Sequence, residues 1–408
     1  MRRILVTDAE QRSTLAVVRS LGRAGFHVEV CSTLEAPLAG ASRFTRAVHR
    51  VSDPVGDSRA LVGDLTRLVD EQTIEILIPM TDATAAVALQ LRQQRPDLLI
   101  PFPASEVWHE VSNKRRLFEV AEGLGIPVPR QHVVESKRAD FSPAFDLARD
   151  VGFPVILKPH RSAVATPARV LKLGVEVAAD REDLERRLRG YAEEAFPILI
   201  QERIQGPGLG GFFLAMDGEI LHGFAHQRLR EKPPTGGVSV LRKSVPLRDD
   251  VRRHSEALLD HFQWSGVAMV EFKEDAATGE IYLMEINGRF WGSLQLAIDA
   301  GVDFPRLLLA TFLNRSSSTE ADGPVGVGTV QSRWLWGDVD HLLWILRADG
   351  RYREDHPELP GRLRALGRFL LPWRPGRRLE VLRLSDPRPF FRESRQWLAH
   401  ALRRTGPG

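Results

Sequence analysis

The apolar positions of this chain change period along its length, and each change marks an element. Residues 2–8 carry a short apolar run, 15–21 follow a helical period, and 25–31 form a second run ending at Cys31. The chain therefore opens as strand, helix, strand, the start of a parallel α/β layer. Runs at 74–79, with Asp82 at the carboxyl end, and at 97–102 add two further strands. No Gly-x-Gly-x-x-Gly follows the first strand, which excludes a dinucleotide fingerprint. From about residue 105 the texture changes. The pattern predicts a helix over 113–123, a proline-punctuated strand over 126–134, a strand over 153–158, a helix over 181–194 and a strand over 197–202. A stretch with four glycines follows at 206–211, read as a loop, and then Asp217-Gly218, a strong hairpin-turn signal. Two apolar stretches, 267–272 and 279–292, read as hairpin strands carrying acids. Residues 313–328, rich in Ser, Gly and Pro, read as a linker. The expected layout is an N-terminal α/β domain over 1–104, a second domain over 105–312 mixing antiparallel sheet with helices, the linker, and an extension over 329–408.

Composition narrows the class. At 408 residues, 43 % apolar and 27 % charged, the chain has the make-up of a folded protein with two or three cores. Its single cysteine, Cys31, excludes an intramolecular disulfide framework and any cysteine-based metal site. No secretory h-region opens the chain and no run approaches the length of a membrane span, so a cytoplasmic location is expected. The net charge of +3 is unevenly spread: residues 331–408 hold 16 Arg against 9 acids, a surplus of 7, which leaves 3 − 7 = −4 for the rest. Only seven of the 56 basic residues are Lys, so a lysine at a special place carries information.

In this hairpin pair, a strand period of two puts Glu285 and Asn287 on one face with Glu271 aimed at the same point, while Ile286 turns into a core. Oxygen ligands converging this way suit magnesium, which takes one or two protein carboxylates and completes its shell with water and phosphate. A solvent-facing acidic strand would carry the same letters. Lys158 ends a buried-looking strand, where an ammonium must meet a counter-charge. Lys114 starts the 113–123 helix, whose positive dipole end also favours an anion; both could instead lie over apolar neighbours at the surface. Backbone groups after Gln201, Glu202, Arg203 and Ile204, around Gly208, could read a base or a ribose, or merely connect two sheets. His226, Arg228 and Arg230 fall on one face of a strand as a cationic row, able to hold a carboxylate and the phosphoryl group arriving on it, or to guard a sheet edge. The 233–239 segment with Gly236 and Gly237 has the composition of a closing loop. Arg289 follows the Glu285–Asn287 pair, where a cation could stabilise a transferring phosphoryl group.

Taken in this order, the residues resemble the ATP-grasp superfamily over 1–312. The resemblance implies a pre-ATP-grasp α/β domain followed by a two-lobed ATP-grasp domain, the small lobe covering about 125–204. It implies phosphate contacts from Lys114 and Lys158, an adenine-reading hinge at Gln201, Glu202, Arg203 and Ile204 with Gly208 beyond it, and Mg2+, or Mn2+ in its place, on Glu271, Glu285 and Asn287. Arg289, Lys158 and Arg228 would serve catalysis, with His226, Arg230, Gly236 and Gly237 around the substrate. The sequence Glu-Ile-Asn-Gly-Arg-Phe-Trp-Gly-Ser from Glu285, preceded by His-Gln-Arg-Leu-Arg and Gly-Gly-Val-Ser, is most similar to the uncharacterised carboligase branch. What this implies is activation of a small-molecule carboxylate by ATP as an acyl phosphate and its condensation with an amine, by a chain able to form a homodimer and taking no nucleic acid. Carboxylation through carboxyphosphate, as in carbamoyl-phosphate and biotin-carboxylase-type enzymes, and ATP sensing without turnover are the alternatives. Two features depart from the family: no acid stands near Gly208 to hold ribose, and the 160–168 loop lacks glycine, leaving Arg161 and Ser162 to cover phosphate.

In the extension, 362–378 combines regularly spaced apolar residues with charge of one sign. It is expected to pack Leu, Phe and Trp inward with Arg outward, the alternative being contact with an anionic membrane surface.

Overall fold

The computed structural model describes residues 2–161, 163–165, 170–234, 237–313, 330–349, 359–371 and 376–404. Ser162, Gly236 and all but the first residue of the expected 313–328 linker lie outside this set. The chain divides into two compact units, each assembled from separate segments. The fold is mixed α/β, with parallel and antiparallel sheets.

The first unit comprises Met1–Arg50, Phe224–Pro246 and Trp291–Gly408. Its parallel strands are Arg3–Val6, His27–Ser32 and Thr45–Arg50, with His27–Ser32 in the middle. Ile4, Leu5, Val6, Val28 and Val30 are fully buried there. The helix Arg12–Arg23 buries Leu15, Val18 and Leu21, and also Arg19. A buried guanidinium requires a counter-ion, and the far end of the chain supplies it. Arg19 Nε donates to Asp386 Oδ2 at 2.8 Å, and the same oxygen accepts from Ser42 Oγ at 2.7 Å. The extension also adds strands to a different sheet: Gln331–Arg333 pairs antiparallel with Val238–Val245 and parallel with Arg377–Leu379. Three tail helices, Leu335–Arg347, Arg362–Leu370 and Arg388–Arg404, belong to the same unit.

The second unit comprises Val51–Gly223 and Leu247–Phe290. A small antiparallel sheet runs in the order Gln131–Val134, Ile198–Gln201, Val155–Pro159, Glu176–Ala178. Val155, Leu157, Ile198 and Ile200 form its core with Leu184 and Leu188 of the helix Arg181–Gly190 and Ala144 and Ala148 of Ser142–Val151. The expected 126–134 strand contracts to Gln131–Val134, because Pro127 and Pro129 bring no N–H to a ladder. The 97–102 run makes only a single parallel bridge, Leu99 to Ile76. Three longer antiparallel strands, Gly208–Met216, Gly266–Glu274 and Ile281–Asn287, have Gly266–Glu274 at their centre.

The glycine-rich stretch is only partly a loop. Gly208, Gly210 and Gly211 are paired with Lys273, Glu271 and Val270, so tertiary pairing overrides their weak strand propensity. Gly206 is different: its φ is +148°, and an added Cβ would stand 2.1 Å from the Glu274 carbonyl oxygen. Asp217 and Gly218, at φ 48° and 87°, form the expected hairpin turn. Among the described residues no helix is long and apolar enough to cross a membrane, and Cys31 is a buried free thiol.

Candidate active site

The acids and cations of the proposed phosphate site all lie in the second unit, and local rules bring them together. In the helix Lys114–Gly123, Lys114, Leu117, Phe118 and Ala121 are buried. Their spacing of i, i+3, i+4, i+7 makes Lys114 part of the core-facing stripe. In Val155–Pro159 the side chains alternate, so that Leu157 joins the hydrophobic core and Lys158 projects from the opposite face. Its ammonium lies 3.9 Å from Met284 Sδ and 5.9 Å from the centre of the Phe118 ring.

Just beyond the acid pair the strands depart from a strict period of two. Glu271 pairs directly with Glu285 and Met269 with Asn287, but the register then shifts so that Phe272 pairs with Leu283. Met284 is the extra residue of a bulge, which re-aims the side chains beyond it. Leu283 and Ile286 are buried, whereas Met284, Glu285 and Asn287 are only partly so. Without the bulge, Leu283 would share a face with Glu285.

A chain of ion pairs and hydrogen bonds results. Lys114 Nζ is 3.7 Å from Glu285 Oε2, Asn287 Nδ2 donates to Glu285 Oε1 at 2.9 Å, and Arg289 Nη2 donates to Asn287 Oδ1 at 3.3 Å. Arg289 Nε in turn donates to Asp82 Oδ1 at 3.1 Å. Asp82 is the first residue of the helix Asp82–Gln94, which is held by a Thr81/Thr84 capping box. Burial pushes the Lys158 ammonium down to about 8, with Glu285 opposing and Lys114 reinforcing the shift. Burial would raise the Glu285 carboxyl, but Lys114, Asn287 and Lys158 together hold it below the usual carboxylate range. For Arg289, burial disfavours the charge and Asp82 and Glu285 outweigh it. A cleft of about 70 Å3 opens beside these groups, lined among others by Asp82, His109, Lys114, Arg161, Glu285 and Asn287.

Two glutamates directly opposite each other on adjacent strands repel, so this arrangement favours a cation between them. Among the described residues no group of three His, Cys, Asp or Glu could hold a metal by itself. Two carboxylates and an amide oxygen nevertheless fit a magnesium ion that shares its shell with phosphate.

At the hinge, Gln201 is buried and its Nε2 donates to Gln131 Oε1 at 2.8 Å, while its own Oε1 is buried without a partner. The Glu202 N–H donates to the Arg130 carbonyl at 2.9 Å, and the Ile204 carbonyl accepts from Lys273 Nζ at 2.7 Å. Arg203 is exposed, and Gly208 opens the strand Gly208–Met216.

His226, Arg228 and Arg230 belong to the first unit, and the expected cationic row is corrected there. His226 is buried with Nε2 2.7 Å from Ser293 Oγ; burial, then Arg242 and Arg228, hold it well below its ordinary pKa, so it is neutral. Register shifts on either side of Arg230 break the alternation. Arg228 pairs with Glu231 at 3.3 Å and Arg230 with Asp338 at 3.0 Å. Gly237 immediately precedes the strand Val238–Val245.

Asp82 and Met284 carry the parts of the site that sequence reasoning left without a role. Asp82 had a signal, an acid following a strand at the start of a helix. The bulge at Met284 had none, because it arises from pairing with the neighbouring strand.

The family model described as "ATP-grasp in the biosynthetic pathway with Ter operon" matches residues 197–332. No curated protein matches the chain in sequence. Among solved structures, biotin carboxylase from Campylobacter jejuni in its βγ-ATP complex is similar with a TM-score of 0.60 and 16 % identity, covering 76 % of this chain and 70 % of that one. L-amino acid ligase from Bacillus licheniformis gives 0.56 and 16 %, with 76 % and 74 % covered. The biotin carboxylase domain of the Hydrogenobacter thermophilus 2-oxoglutarate carboxylase, a dimer in complex with MgADP, ADP and bicarbonate, gives 0.58 and 17 %, with 76 % and 69 % covered. At these identities the likeness establishes the fold and not the reaction. Residues 197–332 match an ATP-grasp family model, and the chain shares the fold of these solved structures.

Proposed function

We propose that this protein is an ATP-dependent ligase that activates a carboxylate as an acyl phosphate and joins it to an amine. The observation that carries the reading is the connected cluster of Lys114, Lys158 and Arg289 with Glu271, Glu285 and Asn287. These are cations for phosphate and oxygen ligands for a metal in one place. The buried Gln201 Oε1 adds an acceptor suited to an exocyclic amine such as that of adenine.

In the first half-reaction a carboxylate oxygen attacks the γ-phosphorus of ATP, the bond to the β-phosphate oxygen breaks, and ADP leaves. In the second, the amine attacks the acyl carbon, phosphate leaves with the C–O electron pair, and the nitrogen loses a proton to give the amide. The chain's contribution to the first half is positioning and charge neutralisation. Lys114 and Lys158 hold phosphate oxygens as point charges on flexible stems. Arg289, fixed by Asp82, presents N–H donors to charge on the transferring group. Magnesium, held by Glu271, Glu285 and Asn287, would neutralise phosphate charge.

The test is ADP release from Mg2+ and ATP against pooled carboxylates and amines, with condensation products read by mass spectrometry and Glu285→Ala as control. Release that needs both an acid and an amine, and vanishes in the control, is expected. Release driven by bicarbonate alone would point to carboxylation, and tight ATP binding without ADP under any substrate to a sensor; either would overturn the ligase reading.

A further inference from the structure

The helix Arg362–Leu370 faces two environments. Inward, Ala365 is buried and Phe369 packs with it against Leu342 and Ile345. Arg362 Nη2 donates to the Ala348 carbonyl at 2.8 Å, and the Arg333 guanidinium lies 4.4 Å over the Phe369 ring. Outward, Leu363, Leu366 and Leu370 follow a spacing of i, i+3, i+7, with Leu371 next to them. They are 86, 38, 61 and 61 % exposed. Arg362, Arg364 and Arg368 are exposed alongside them, and no acid occurs between residues 359 and 371. The expected inward packing holds for Phe369 and is corrected for the leucines, while Trp373 lies outside the described residues. Of the apolar residues of this helix, Ala365 and Phe369 make the inner contact, because one flank of a short helix can reach the helix Leu335–Arg347 and the leucines lie on the other.

We propose that this face docks on an anionic membrane leaflet. A single exposed leucine needs no explanation, but an apolar stripe bordered, among the described residues of this segment, by cations alone is the make-up of a helix that lies in a lipid interface. The leucines enter the acyl boundary, and the arginines pair with acidic headgroups. A second copy of the chain is a poorer occupant, since a two-fold contact would set this patch on itself and bring arginine against arginine. The inference is independent of the ligase reading, because it uses no residue of the phosphate site.

The test sediments the full chain with vesicles of phosphatidylcholine, alone or mixed with phosphatidylserine. Binding is expected only to the mixed vesicles and should weaken as salt rises. The pair Leu363→Asp with Leu370→Asp should reduce it by about tenfold or more, and Arg364→Gln with Arg368→Gln by roughly fivefold for each cation. Both pairs lie on the exposed face and should melt like the wild type. Absence of binding to the mixed vesicles, or unchanged binding by the leucine variant, overturns the proposal. So does self-association of the wild type that the leucine variant abolishes, which would make the face an interface between copies.

Discussion

Lys158 shows how one side chain links stability, pH and chemistry. Its folded pKa of about 8 lies below the ordinary 10.5, so between those values the unfolded chain binds more protons than the folded one, and stability rises with pH through that window. Below about pH 8 the buried charge carries its full cost. Lys158→Met should therefore stabilise the ligand-free protein at pH 7, by up to ~3 kcal/mol, with the gain vanishing by about pH 10.5. Denaturant melts at the two pH values check this, and ADP release by the same variant should fall by about a hundredfold or more. Asp82 acts one step back, through Arg289. Asp82→Asn should lower kcat roughly tenfold, about 1.4 kcal/mol of barrier, with KM for ATP little changed, because the arginine keeps its charge but loses the carboxylate that aims it. An equal rise in KM would show that Asp82 serves binding instead.

At the scale of elements, the facing strands Gly266–Glu274 and Ile281–Asn287 oppose two carboxylates. Removing the Glu271 charge relieves its repulsion with Glu285 but also loses its attraction to Lys158 and Arg289, so Glu271→Gln should change the melting stability of the metal-free protein by less than about 1 kcal/mol. The same change replaces an anionic oxygen ligand for a cation with a neutral amide. Mg2+ with ATP should therefore raise the melting temperature of the wild type and leave that of the variant almost unmoved. Calorimetric scans with and without Mg2+ and ATP decide both points. That Glu271, Glu285 and Asn287 would share a face was legible from alternation alone. That Leu283 would not join them was illegible, since the bulge is a property of two paired strands.

At the scale of the molecule, the extension is built into the first unit through buried charge. Asp386 accepts from Arg19, Ser42 and the Arg43 N–H, and Glu380 joins Arg12, at 2.6 Å, to the buried Arg242. Asp386→Ala would leave Arg19 buried without its counter-ion and should cost about 3–5 kcal/mol, measurable as a shift in the denaturant midpoint. Apolar periodicity and the placement of rare lysines were enough to recognise the parallel opening, the hairpin and the ordered set of phosphate and metal candidates, because those signals act over one or two turns or strands. The sequence could not show that Arg19 meets Asp386, that His226 is buried and neutral, or that Leu363 and Leu370 remain outside. Each of these depends on which distant segment covers a side chain, and burial, which sets both the cost of a charge and the exposure of a leucine, exists only once the chain has folded.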